Sequence, residues 1–145
     1  MRKTGFTLVE LIVVIVLVGI VALIAAPRFF SQPAFDAARF HDAAISAIRY
    51  AQKLAVAQRA NVFVVTNAGT LSLCYDAACA VTVKAPGGND DFVVKTPSGI
   101  GIANSSFNFS SLGQPVPNVQ TSLSISGDGT SRTIVVEQET GYVHK

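Results

Sequence analysis

Few side chains in this chain could do chemistry, and their spacing decides what each could do. Glu10 is the sole charge in an apolar run covering residues 6–26. A carboxylate at the centre of a membrane helix costs about 2.5–3.5 kcal/mol, and less near an interface. One turn into such a run it calls for a positive partner. Cys74 and Cys79 are the only cysteines, and Tyr75-Asp76-Ala77-Ala78 lies between them. In an oxidising compartment a pair this close reads as a disulfide. A redox centre would more typically hold two intervening residues. Free thiols and metal ligation stay open as alternatives, though a metal needs further ligands, and His41 and His144 are distant in sequence.

The remaining candidates are plainer. His41 lies beside Asp42 in a helical stretch and reads as partly exposed; His144 sits near the C-terminal end. Asp90 and Asp91 follow Gly87-Gly88-Asn89, where a solvated turn is expected, with calcium as the other reading. The glycine pairs follow no strand-to-helix transition, so no phosphate loop is expected. No nucleophile elbow accompanies either histidine. The sequence reads as non-enzymatic, with no catalytic residue, no metal site and no cofactor.

These residues need elements to position them. The chain has 145 residues, 50% hydrophobic and 14% charged, with a mean hydropathy of +0.44. The apolar excess sits at the N-terminus, where a hydrocarbon core asks for about 20 helical residues. A secretory signal peptide fits poorly: the apolar stretch is too long, and cuts after Ala25 or Ala26 place Leu23 or Ile24 where a small residue belongs. A lipoprotein signal would need a cysteine at the end of the run. A plain uncleaved anchor accounts for everything but Glu10. Arg2 and Lys3 hold the start in the cytoplasm, which sends the body to the periplasm. Of eleven basic side chains these are two, so without them nine face nine acidic ones. No basic stripe of the kind a polyanion requires is left, and nucleic acid is not an expected partner.

The string GFTLVELIVVIVLVGIVALIAAP, residues 5–27, resembles the class III signal of the type IV pilin-like family, which includes type II secretion pseudopilins. The resemblance implies that prepilin peptidase cuts after Gly5, that Phe6 becomes an N-methylated terminus, and that Glu10 is the self-assembly carboxylate. The new amine on Phe6 would supply the missing positive partner. Gly19 and Pro27 are a pair found in similar pilins, where the segment between them stretches on assembly. It also implies a pilin fold. That fold is α+β, a long N-terminal helix, half transmembrane and half amphipathic, packed on an antiparallel β domain.

The rest of the chain reads accordingly. Residues 36–59 place Phe40, Ala44, Ile48, Ala51 and Leu54/Ala55 on one face and Arg39, Asp42, Ser46, Arg49 and Lys53 on the other, an amphipathic helix. Pro27 and Pro33 predict bends. After Asn61 the period falls to two. Strands are expected at 62–66, 70–75, 81–84, 92–95, 107–109, 123–126, 133–136 and 142–143, too close together for helices between them. They would form one antiparallel sheet. The division is then leader 1–5, transmembrane and assembly helix 6–27, amphipathic helix 28–60 and β domain 61–145.

The YAQKLAVAQRANV stretch and the ending SSLGQP…SLSISGDGTSRTIVVEQETGYV are similar to the pseudopilin H and FimT branch. They also resemble minor pilins of the mannose-sensitive haemagglutinin pilus. The function implied is a structural minor pilin of a type IV pilus, inserting into or priming the filament. The alternative is a minor pseudopilin of a type II secretion system. A DNA-uptake pilin fits less well, because the end, Glu137 to Lys145, is not notably basic. Expected partners are other pilins or pseudopilins, prepilin peptidase, the pilus assembly machinery and the inner membrane. The expected location is a single pass with a periplasmic body, assembled in a pilus or periplasmic pseudopilus.

Overall fold

The computed structural model describes residues 7–29, 32–67, 69–127 and 129–145, with side chains 25–34 left aside. The chain divides between Gln32 and Pro33 into two compact units.

The first unit holds helix α1, Leu8–Phe29. Every described side chain along it, from Leu8 to Ile24, is exposed. The helix runs through both Gly19 and Pro27 without ending. Among the described residues no helix is long and apolar enough to cross a membrane; the described side chains of α1 stop at Ile24.

The second unit starts from α2, Gln32–Gln58. Pro33 stands in its first turn, where a missing N–H goes unused, so it opens this helix rather than bending it. Phe30 and Ser31 lie outside the described residues. The apolar spacing of three and four buries Ala37, Phe40, Ala44, Ile45, Ala47, Ile48, Ala51 and Ala55. Arg39, Asp42, Ser46, Arg49 and Lys53 face outward. The helix closes with a Schellman turn. The Ala60 amide donates to the Ala55 carbonyl at 3.2 Å and the Arg59 amide to Val56 at 3.3 Å, while Arg59 takes φ 50°.

Nine strands follow among the described residues, all paired antiparallel, in two sheets rather than the one expected. The first sheet contains β1 (Val62–Asn67), β2 (Thr70–Cys74), β3 (Val93–Lys95), β5 (Ser105–Phe109) and β6 (Pro115–Val116), in the order β3-β2-β1-β5-β6. The second contains β4 (Gly101–Ile102), β7 (Thr121–Gly127), β8 (Thr130–Val136) and β9 (Val143–His144), in the order β4-β7-β8-β9. The β1–β2 hairpin pairs Phe63 with Cys74 and Asn67 with Thr70; β7 and β8 pair from Thr121–Val136 to Gly127–Thr130. Alternation buries Val62 and Val64, Leu71 and Leu73, Leu123 and Ile125, and Ile134 and Val136 against the stripe of α2 in one core.

The expected strand at 81–84 is not one. It makes only isolated bridges, Cys74 to Thr82 and Lys84 to Asp91. The free side of β2 is already taken by β3 from Thr70 to Ser72, so only its last two residues remain to pair. The strands missed in sequence, β4 and β6, are two residues each and carry glycine or proline. Proline is tolerated at β6 because that strand is an edge.

Candidate functional site

Of the residues that the sequence marks for processing and assembly, Glu10 lies in the first turn of α1. Gly5 and Phe6 lie outside the described residues. Thr7 is the last residue before the helix, and its hydroxyl accepts the Glu10 amide at 3.3 Å. Its carbonyl accepts the Leu11 amide at 3.2 Å. This is an N-cap, and Thr7-x-x-Glu10 has the spacing of a capping box. The sequence reading passed over Thr7, although that spacing was there to be read. The cap places Glu10 in the first helical turn. Unsatisfied N–H groups there favour a carboxylate by about 0.3–1 kcal/mol. The exposed Glu10 thus stands at the boundary between a helix N-terminus and a run of exposed Leu, Ile and Val. That arrangement presents a carboxylate to a cation supplied from outside the helix.

Further along α1, a Cβ added at Gly19 would meet nothing within 4 Å, so nothing described in the fold demands glycine there. Pro27 is within the helix, with its side chain outside those described.

In the second unit, Cys74 and Cys79 form a disulfide with their Cα atoms 5.1 Å apart. Asp76 organises the loop they close. Its carboxylate accepts the Ala80 amide at 3.0 Å and the Val81 amide at 2.7 Å. These backbone donors, Ala80 first, hold its carboxyl below the usual carboxylate range. Cys79 takes φ 57°, a turn that the Asp76 contacts hold in place.

The histidines behave differently from their sequence reading. His41, expected partly exposed, is buried at 4% exposure. The α2 stripe is wide enough to take the neighbour of Phe40 as well as Phe40 itself. His144 meets Glu137 at 2.9 Å and stacks on Tyr142, ring centroids 5.4 Å apart. The hydrogen bond to Glu137 raises the His144 pKa, and the same bond lowers that of Glu137. Asp91 pairs with Lys84 at 2.7 Å and accepts the Thr82 hydroxyl. Lys84 first, then Thr82, lowers its pKa. Among the described residues no group of acidic, histidine or cysteine side chains is placed to hold a metal ion.

A further device joins three segments. Gln52 on α2 donates from one nitrogen to the carbonyls of Gly113 and Thr140, both at 2.9 Å. Arg49, one turn earlier, donates from two nitrogens to the Val143 carbonyl at 3.2 and 2.8 Å. Asn118 and Glu139 exchange two bonds at 2.8 and 2.7 Å. The sequence offered no period or motif by which to find these.

Comparison with known proteins bears on the N-terminal motif and the second unit separately. Residues 1–26 match the prokaryotic N-terminal methylation motif. Over 58 residues, 40% of this chain, it is 43% identical to the type IV narrow pilus major component of Thermus thermophilus. The chain spans about half the length of that curated relative. Two crystal forms of the type IV minor pilin FimU of Pseudomonas aeruginosa share the fold. The P21 form gives a TM-score of 0.56 at 17% identity, over 78% of this chain and 87% of that one. The P65 form gives 0.52 at 14% identity, over 77% and 90%. The α+β class with helix packed on antiparallel strands is the pilin fold. The chain thus carries the methylation motif at its start and shares the fold of a type IV minor pilin.

Proposed function

We propose that the chain is a minor subunit of a type IV pilus, held in the inner membrane by α1 until it enters or primes a filament. One observation carries the reading: from Leu8 to Ile24, the described side chains of α1, the helix exposes Leu, Ile and Val on every side, with a capped Glu10 in its first turn as the one charge. A helix apolar all round needs an apolar environment that its own chain does not supply. Lipid provides it before assembly, and the packed helices of other pilin-like subunits provide it afterwards.

In this reading prepilin peptidase removes residues 1–5 after Gly5, and the N-methylated amine of Phe6 becomes the cation that Glu10 meets on a neighbouring subunit. Residues 6–27 form the span, with the second unit in the periplasm. Gly19 and Pro27 let the helix lengthen between them, since Gly costs about 1 and Pro about 3 kcal/mol in a helix interior. The partners are other pilins and the assembly machinery.

Peptide mass spectrometry of sheared surface fibres and of the membranes left behind tests this. N-methyl-Phe6 peptides in the fibres, scarce beside a major subunit, are expected. The same processed terminus confined to membranes would replace the pilus by a secretion pseudopilus. An intact leader in both fractions overturns the pilin-like role. Glu10→Ala is expected to leave membrane insertion intact and to deplete the chain from fibres. Normal incorporation of that variant would refute the charge pairing.

A further inference from the structure

The second unit contains a cleft to which the proposed function assigns no role. It has a volume of about 370 Å³ and is lined by Ala38, His41, Asp42, Arg132, Thr133 and Lys145. His41 is a buried wall of it, and its ring nitrogens find only long contacts. Nδ1 lies 3.6 Å from Asp42 Oδ1 and Nε2 lies 3.5 Å from the Thr133 carbonyl. An ordinary hydrogen bond to a ring nitrogen would be about 2.7–3.2 Å. Both ring contacts are therefore longer than ordinary bonds.

The charges around the cleft do not cancel. Lys145 Nζ pairs with Asp42 Oδ1 at 3.0 Å, so one cation and one anion are matched. Lys145 first, and His41 after it, lowers the pKa of Asp42. Arg132, on β8, has only a 3.4 Å contact from Nη1 to the Thr130 hydroxyl, and no carboxylate partner among the described residues. A guanidinium fork that lines the same cleft as a histidine with only long contacts selects a planar anion. Asp42 in the same wall restricts the charge, since a second negative charge on the ligand would face it at close range.

We propose that this cleft binds a single carboxylate, held by the Arg132 guanidinium with His41 behind it. The carboxylate belongs to a small free organic acid or to an aspartate or glutamate of a neighbouring subunit.

The test uses the full processed chain in detergent micelles, with acetate as the probe and chloride at equal ionic strength as the control. His41 ring resonances followed by NMR are expected to shift saturably with acetate and not with chloride. Arg132→Gln should weaken acetate binding at least about tenfold, and Arg132→Lys by less, because an ammonium cannot form the fork. An unchanged thermal midpoint for both variants separates loss of the site from loss of the fold. The absence of a saturable shift, an equal response to chloride, or full binding by Arg132→Gln overturns the site. Inorganic phosphate binding more tightly than acetate overturns the ligand class. A second arm places Arg132→Gln in cells. Reduced recovery in fibres assigns the carboxylate to a neighbouring subunit, and unchanged recovery assigns it to a free acid. Only this second arm rests on the proposed pilus role, so failure of that role leaves the acetate result standing.

Discussion

The two helices solve opposite problems. In α1 every described side chain is exposed, including Leu23 at 78% and Leu8 at 73%. In α2, a less apolar sequence, Ala44, Ile48, Ala51 and Ala55 are completely buried. Apolar content alone therefore does not place a helix in a core. A one-sided stripe can lie on a sheet and leave its charged side in water, whereas a helix without a polar side has no orientation that satisfies it within so small a chain. The fold of the second unit accordingly comes from the helix with the fewer apolar residues, and the more apolar helix is left for surroundings outside the chain.

The largest expected effect tests that division directly. Ile48→Ala removes a fully buried side chain from the face of α2 and should destabilise the second unit by about 2–5 kcal/mol. Ile15→Ala in α1, a comparable truncation of a side chain that is 60% exposed, should leave unfolding of the second unit within about 0.5 kcal/mol. Denaturant unfolding followed through Tyr fluorescence measures both. Similar losses from the two changes would mean that α1 contributes to the core after all.

The disulfide ranks next. Replacing Cys74 and Cys79 together by serine should cost about 2 kcal/mol, the low side of the usual range, because the closed loop is short. On the proposed role of α1, the same double change should not alter recovery of the chain in membranes. A loss of membrane recovery without a loss of stability would reverse the assignment of tasks to the two regions.

Much of this was legible in the sequence, for a physical reason. Hydrophobic period marks which face of an element is buried, so the α2 stripe and the strands of both long hairpins could be read from it. The methylation motif is a local string and needs no tertiary information. What could not be read depends on contacts between distant segments. Two-residue strands such as Gly101–Ile102 have too few positions to show alternation, and without them the division into two sheets is invisible. The segment around Thr82 has strand composition, but β3 holds the edge it would need. His41 was misjudged because Asp42 follows it, although the ring turns toward β8. At the site, Glu10 is legible by its charge in an apolar run, and the Thr7 cap by the Thr7-x-x-Glu10 spacing alone.

Gln52 gives a smaller effect that sharpens the same contrast. It holds α2 to the two turns that carry Gly113 and Thr140. Gln52→Ala leaves two carbonyls without this donor, an expected loss of about 1–2 kcal/mol. Gln52→Glu should destabilise more at neutral pH, since a carboxylate would face both carbonyl oxygens. If thermal melts show the two variants equal, the contact is one of packing rather than of hydrogen bonding.

The smallest expected effect concerns the pair that fastens the last strand. The folded-state pKa of His144 is raised, so its contribution is complete below the unfolded histidine value and is lost as pH rises through the folded one. That of Glu137 is lowered, so its contribution is complete above the unfolded glutamate value and is lost as pH falls through the folded one. Both conditions hold together between about pH 4.3 and 6.5. His144→Gln should therefore lower the thermal midpoint most near the middle of that window, and less at either side. Both side chains are about one-third exposed and water screens them, so the difference is small and should shrink further with added salt. A deficit that stays level from pH 4 to pH 8 would assign the role of His144 to its stacking on Tyr142 instead, making the end of the chain a packed edge rather than a charged clasp.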